Sequence, residues 1–255
     1  MSTNPFIKIV QIIYSIIIWT FLIITCFPLF FIDFVVWLLT FWFDKRTWIL
    51  HRYSGFWAMF YIWTNPLWKI DIKGRENIDQ KKTYVIISNH QSAMDIVILY
   101  RIYTHFKWIA KRELFRVPFV GWNLMLNRHI AIDRDSRKSA ATMLRKALNH
   151  LEQGSSILVF PEGTRTLDGS IKRFKDGAFL IAKKAEVAIL PVVIDGTFEA
   201  VPKSGLIGFK QTFKIRVLPE VPFESFKDKS ATDIAKEMQQ LLTEEHKKIA
   251  PNYYN

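Results

Sequence analysis

Cysteine is nearly absent from this 255-residue chain: Cys26 stands alone, so no internal disulfide can form and a cysteine-based zinc site is excluded. The six histidines (51, 90, 105, 129, 150 and 246) are scattered, with no His-Glu-x-x-His pair, and no metal is expected. No internal repeat or low-complexity tract is found, which rules out solenoids and disordered tails. Charge is scarce at one end only. Residues 1–43 carry just Lys8 and Asp33, which cancel, so the whole net charge of +12 sits in residues 44–255.

What is present at that end is apolar and aromatic. From Ile9 to Phe43 the only charge is Asp33. Thirty-five helical residues reach about 52 Å against a hydrocarbon core of about 30 Å. The run is too long for one upright span and slightly short for two. It is read either as a span over about 6–27 with an interfacial continuation, or as a re-entrant hairpin turning at Phe27-Pro28. A cleaved signal peptide fits poorly, because its apolar core is about 7–15 residues long and ends in a small-residue cleavage site. Seven of nine tryptophans precede residue 70, the pattern of a membrane-interface belt. Lys45, Arg46 and Arg52 follow the run and only Lys8 precedes it, which puts the C-terminal side in the cytoplasm, at the inner membrane for a bacterial source. Residues 47–68 read as a helix, either lying on the bilayer or packed into the soluble core.

The chain therefore divides into a membrane-anchoring helical region, 1–68, and an α/β domain, 69–255. In the second part short apolar runs alternate with helical periods. Strands are expected at Lys69–Lys73, Tyr84–Ser88, Lys107–Ala110, Ile130–Ile132, Ile157–Phe160, Ile189–Ile194 and Phe213–Leu218. Helices are expected at Ala93–Tyr103, Ser136–Gln153, Gly177–Lys184 and Thr232–Ile249, with Ser136 as a cap and Gly154 as a stop. This alternation predicts a mixed, mostly buried sheet flanked by helices.

Two segments carry chemistry. The strand Tyr84–Ile87 leads into Ser88-Asn89-His90-Gln91-Ser92-Ala93-Met94-Asp95. A His and an Asp five positions apart across a strand-to-helix turn can pair, so that the carboxylate fixes the imidazole tautomer while the other nitrogen takes a proton. The strand Ile157–Phe160 leads into Pro161-Glu162-Gly163-Thr164-Arg165, where Pro and Gly force a tight turn and Arg165 can bind a phosphate. Ligands of α/β sheets bind at such strand ends.

Together these segments resemble the glycerolipid acyltransferase family, most closely its bacterial 1-acylglycerol-3-phosphate (lysophosphatidate) acyltransferases. Asn89-His90-Gln91-Ser92-x-x-Asp95 is similar to the family's first block, and Lys111-Arg112-Glu113-Leu114 with Pro118, Gly121 and Ile132-Asp133-Arg134 to its second. Phe160–Arg165 is similar to the third block, Phe174-Lys175-x-Gly177-Ala178 to the segment that follows it, and Leu190-Pro191-Val192-Val193 to the fourth. The blocks stand in the family's order over residues 70–200.

The resemblance implies acyl transfer from an acyl thioester, acyl-CoA or acyl carrier protein, to the 2-hydroxyl of lysophosphatidic acid. No cofactor and no acyl-enzyme are needed. His90 is then the general base and Asp95 its partner. Glu162, Gly163, Thr164 and Arg165 bind the glycerol phosphate, with Arg134 as a second phosphate contact. Lys107 and Lys111 are expected to line the same cleft. Backbone N–H groups near Pro161–Gly163 or Asn89-His90 are the candidate oxyanion donors. The stretch Asn127–Ala131 departs from the family pattern, as does Thr166 where a serine is common.

Residues 101–185 hold 17 Lys and Arg against 7 Asp and Glu, a face suited to anionic lipid, CoA or acidic carrier protein. Three rivals stand beside this reading. A serine hydrolase would use Ser88 or Ser92, but no Gly-x-Ser-x-Gly elbow is present, and Ser92 is better placed to cap the next helix. A membrane-tethered nucleic-acid binder would need a recognition motif that is missing, so no nucleic acid is expected. A related acyltransferase would act on another lysolipid.

Overall fold

The structure, a computed structural model, describes residues 5–133, 136–202 and 204–254. Seven strands form one sheet: β1 (Trp68–Lys73), β2 (Val85–Ser88), β3 (Phe106–Lys111), β4 (Ile130–Ile132), β5 (Ser156–Val159), β6 (Ile189–Asp195) and β7 (Gln211–Val217). Their order is β1-β7-β6-β2-β5-β3-β4. All neighbours pair in parallel except β6 and β7. Every expected strand is present, with ends shifted by no more than two residues.

Eight α-helices are found among the described residues: α1 (Pro5–Thr40), α2 (Trp48–Trp63), α3 (Met94–Leu99), α4 (Val120–Leu126), α5 (Arg137–Glu152), α6 (Gly177–Ala185), α7 (Thr197–Ala200) and α8 (Ala231–Ile249). The sequence pattern missed α4 and α7, which are seven and four residues long, because neither completes enough turns to show a period. Ser136 caps α5 by accepting from the Ser139 N–H at 3.2 Å. Gly154 ends it in the left-handed region at φ 78°.

Side chains alternate across the parallel strands, and both faces are buried. Ile86, Leu158, Leu190 and Val192 pack with α2 and α3 in one core layer. Val85, Ile87, Ile157 and Val193 pack with α5, α6 and α8 in the other. Helix α2 contributes Met59 and Ile62 to the first layer while Trp48, Phe56 and Trp63 remain exposed. It is thus a core helix with one aromatic face left over.

Helix α1 runs unbroken through Pro28, so the hairpin at Phe27-Pro28 does not form. A mid-helix proline removes one N–H, whereas a turn there would strand several backbone groups among apolar side chains. Residues 6–27 also do not stand clear of the domain as a separate span. Gln11 donates to the Ile207 carbonyl at 3.2 Å, Trp19 donates to the Gly205 carbonyl at 2.9 Å, and Asn65 donates to the Tyr14 hydroxyl at 2.7 Å. Further on, Tyr53 donates to the Leu29 carbonyl at 2.9 Å and Asn123 donates to Asp33 at 3.0 Å. The helix therefore lies along the domain over about 33 Å. Its outer side is a continuous exposed apolar strip, including Ile9, Ile16, Ile23, Phe27, Phe31 and Leu38. Among the described residues it is the one helix long and apolar enough to cross a membrane.

Candidate active site

The carboxyl ends of β6, β2 and β5 lie side by side, and the loops leaving them meet. Asp95, at the start of α3, is fully buried. Its Oδ2 accepts from His90 Nδ1 at 2.6 Å and from the backbone N–H groups of Gln91 and Ser92 at 2.7 and 2.9 Å. Its Oδ1 accepts from the Thr197 hydroxyl. A carboxylate offers no hydrogen, so the proton in the His90 contact belongs to Nδ1. The lone pair of Nε2 then faces out, and Nε2 has no partner among the described residues. The ring is further held by Phe160, which stacks on it at 4.1 Å between centroids and 15° between planes. The result is an imidazole fixed in tautomer and orientation, with one basic nitrogen open to the cleft.

The backbone carrying His90 is fixed as firmly. Asn89 reaches across to β6 and makes two bonds to the Ile194 backbone, both 2.9 Å. Glu162 accepts the His90 N–H at 2.8 Å on one oxygen and the Lys172 N–H at 3.0 Å on the other. Burial raises its pKa to about 7, against the pull of those two donors. Glu162 thus clamps two loops together, and both its oxygens are occupied. The resemblance assigned it to the glycerol phosphate; here its oxygens hold the backbones of His90 and Lys172.

The turn after β5 supplies cations. Gly163 adopts φ 73°, which an L side chain rarely tolerates, and a Cβ there would come within 3.1 Å of Lys175 Nζ. The Lys175 ammonium therefore sits over the turn. Arg165 is half-buried, and neither its guanidinium nor the Lys175 amine has a partner among the described residues. The Thr164 hydroxyl donates to the Arg165 carbonyl at 3.1 Å. The expected oxyanion donors need correcting. The His90 N–H is held by Glu162 and the Gly163 N–H by the Phe160 carbonyl at 3.0 Å. The Thr164 and Arg165 N–H groups on the same turn have no acceptor among the described residues.

Three other expected residues stand differently. Lys111 ends β3, exposed, 3.5 Å from Glu113, on the site's side of the sheet but two strands from β2. Lys107 is not in the cleft. It sits four residues earlier on β3, about 13 Å back along the strand, fully buried, with its amine donating to the Thr47 hydroxyl. The alternating apolar pattern located the strand but not which end of it faces a ligand. Arg134 lies outside the described residues.

The serine-nucleophile reading finds no geometry. Ser92 donates to the Val201 carbonyl at 2.9 Å and Ser88 to the Asn89 carbonyl at 3.3 Å, so neither hydroxyl bonds His90. Ser92 does serve the helix start, accepting from the Met94 N–H at 3.3 Å. Thr197 was missed, although a strand end followed by Gly196-Thr197 is the same signal that marked the other two loops. Among the described residues no cluster of three His, Cys, Asp or Glu is placed to hold a metal.

Residues 69–195 match the family model described as Acyltransferase. A 1-acyl-sn-glycerol-3-phosphate acyltransferase of Chlamydomonas reinhardtii is 38% identical over 186 residues, covering 72% of this chain and 55% of that protein. The chloroplastic Arabidopsis thaliana enzyme of the same name is 35% identical over 178 residues, 69% of this chain and 49% of its own. The chain thus spans about half the length of these plant and algal relatives. The Pseudomonas aeruginosa 1-acyl-sn-glycerol-3-phosphate acyltransferase is 31% identical over 199 residues, 76% of this chain and 77% of that one. The crystal structure of the 1-acyl-sn-glycerophosphate acyltransferase of Thermotoga maritima superposes with a TM-score of 0.75 at 25% identity, over 95% of this chain and 97% of that chain. With the loops of its strand ends arranged as above and its bacterial relatives matched over most of both chains, this chain belongs to the acyltransferase family that includes the 1-acyl-sn-glycerol-3-phosphate acyltransferases.

Proposed function

We propose that this protein transfers an acyl chain from an acyl thioester to the 2-hydroxyl of 1-acyl-glycerol 3-phosphate, producing phosphatidic acid. The observation that carries the proposal is the pairing, on adjacent strand ends, of a locked imidazole with an open Nε2 and a tight turn bearing two unpartnered cations. The names borne by the relatives above agree with it.

In this reading Arg165 and Lys175 hold the phosphate monoester and bring the neighbouring hydroxyl to His90. His90 Nε2 takes the hydroxyl proton as the oxygen attacks the thioester carbonyl. The resulting oxyanion is met by the free Thr164 and Arg165 N–H groups. Collapse of the tetrahedral intermediate forms the ester bond and breaks the carbon–sulfur bond. The thiolate leaves with the proton His90 took up. Asp95 stabilises the imidazolium between the two transfers. A thioester is activated enough that no enzyme nucleophile is required, in keeping with the absence of a serine on His90.

Helix α1 is proposed to embed its apolar strip in one leaflet and lie along the surface. An upright α1 would carry the domain groups bonded to Gln11, Tyr14, Trp19, Leu29 and Asp33 to hydrocarbon depth. Lys45, Arg46 and Arg52 then favour the cytoplasmic leaflet. Either acyl-CoA or acyl carrier protein suits the basic face as donor.

The test is thiol release from each donor with and without lysophosphatidate, for wild type and His90→Ala. Release that requires the acceptor and disappears in the variant supports the proposal and identifies the donor. Release without acceptor would make the protein a thioesterase. Release only with a different lysolipid would reassign the acceptor.

A further inference from the structure

A second cavity, of about 370 Å³, opens at the opposite end of the sheet. Its walls come from Gln80–Thr83 before β2, Thr104-His105 before β3, Gly154 and Ser156 at the start of β5, and one face of α2. Thr83 and His90 are separated by the length of β2, about 20 Å of extended chain. A ligand here does not reach the catalytic imidazole.

Three features of the cavity describe an occupant. First, its rim is cationic: Arg46, Arg52, Lys81 and Lys82 line it, and no Asp or Glu does. Lys82 is paired with Glu220, but the Lys81 amine has no partner among the described residues. Second, its inner wall is uncharged. His51 and His105 form part of it, both more than nine-tenths buried; His51 Nε2 meets the Thr104 carbonyl at 3.1 Å, and His51 Nδ1 and both ring nitrogens of His105 are closed off from the open cavity. Burial keeps both rings neutral, so the charge of the cavity is that of its rim. Third, its outer wall is aromatic. Trp48, Phe56 and Trp63 stand exposed on the same face of α2, with Arg52 between them and its guanidinium 5.6 Å above Trp48 and 5.8 Å above Tyr103. A cationic rim over an uncharged inner wall suits a phosphate, and an aromatic outer wall suits the glycerol and upper acyl carbons. The stripe also follows closely on Trp42 and Phe43, exposed beyond the end of the apolar α1.

We propose that this cavity binds the headgroup of an anionic phospholipid, as a site separate from the substrate cleft. It is a lipid-reading site on the basic side of the N-terminal helices, and it acts by binding, with no chemistry of its own.

The experiment titrates the full chain in detergent with short-chain dihexanoyl phosphatidylglycerol. This lipid is neither substrate nor product of the proposed reaction. Dihexanoyl phosphatidylcholine and inorganic phosphate serve as comparisons, and binding is read by calorimetry. Saturable binding of phosphatidylglycerol is expected, weakened tenfold or more by Arg52→Glu and by Lys81→Glu and untouched by Arg165→Ala. Lys81 lies in an exposed turn, so its substitution should leave the fold and acyl transfer in detergent unchanged, which circular dichroism and the thiol assay check. Equal affinity for phosphatidylcholine, or full affinity in both rim variants, would overturn the proposal. Loss of binding in Arg165→Ala would move the lipid to the substrate cleft. Phosphate binding as tightly as the lipid would reduce the cavity to a plain anion site.

Discussion

The two ends of one sheet handle buried polarity in opposite ways. At the carboxyl end, both oxygens of Asp95 and of Glu162 and both polar atoms of the Asn89 side chain are bonded. Among the described residues, His90 Nε2, the Arg165 guanidinium and the Lys175 amine are left open there. At the amino end, Lys107, His51, His105 and His129 are buried close together, and His51 Nδ1, both nitrogens of His105, His129 Nε2 and Ser155 Oγ have no partner among the described residues. An unsatisfied buried polar group costs about 1–3 kcal/mol, so the second arrangement persists against a gradient that the first avoids. The saturated end is built to hold one geometry. The unsaturated end is built around space, and stability and ligand binding should both respond to it.

The sharpest break of this comparison is at the proposed base and its partner, His90 and Asp95. His90→Ala and Asp95→Asn should each lower kcat by about 10²–10⁴-fold. His90→Ala should also lower the melting temperature, since buried Asp95 loses a partner and Phe160 its stacked ring, but the variant should stay folded at the assay temperature, which circular dichroism checks. Activity lost only because the variant is unfolded there would break the comparison.

Next in size is Lys107, whose pKa burial lowers from 10.5 to about 7, helped by Arg128 and Arg46 and opposed by Asp44. The unfolded chain holds that proton up to about pH 10.5, whereas the folded chain releases it above about pH 7. Folding is therefore penalised below pH 7, and the penalty fades as pH rises between the two values. Lys107→Met should stabilise the protein at pH 6, by an amount on the order of a few kcal/mol, and the gain should shrink toward pH 10. Urea midpoints of both proteins across that range would show it. A gain independent of pH would mean that the folded and unfolded chains release this proton at the same pH, so that burial does not lower the lysine's pKa.

A smaller effect is expected at Arg165. Arg165→Ala should raise KM for lysophosphatidate by about tenfold or more while KM for the thioester stays within about twofold, as for loss of one charge-assisted contact. Equal losses for both substrates would remove it from the phosphate. Smallest is Thr197, which acts through Asp95. Thr197→Val should cut kcat by about tenfold with KM unchanged, and Thr197→Ser should restore it. Failure of serine to rescue would point to packing in place of the hydrogen bond.

The sequence was legible where local chemistry repeats. Short apolar runs marked all seven strands, and strand-end loops marked His90, Asp95 and the Pro161–Arg165 turn. It was opaque wherever a role depends on which neighbour a strand acquires. Thr197 approaches Asp95 only because β6 pairs with β2 across a separation of about a hundred residues. Glu162 turns inward because the His90 loop offers it an N–H. Lys107 and Lys111 look alike in the chain, and only the direction of β3 tells the buried one from the one at the site's end. The path of α1 was equally hidden. Composition shows that it is apolar, but only Gln11, Trp19 and Asp33 finding partners in the folded domain shows that it lies along it.

The central claim is that His90 activates the acceptor directly and that the enzyme never carries the acyl group. It is tested by rapidly mixing a stoichiometric amount of enzyme with labelled acyl thioester alone, then adding lysophosphatidate. The account predicts no thiol burst and no protein-bound label before the acceptor arrives, and ester formation in step with thiol release afterwards. A burst of one thiol per enzyme with label on the protein would contradict it.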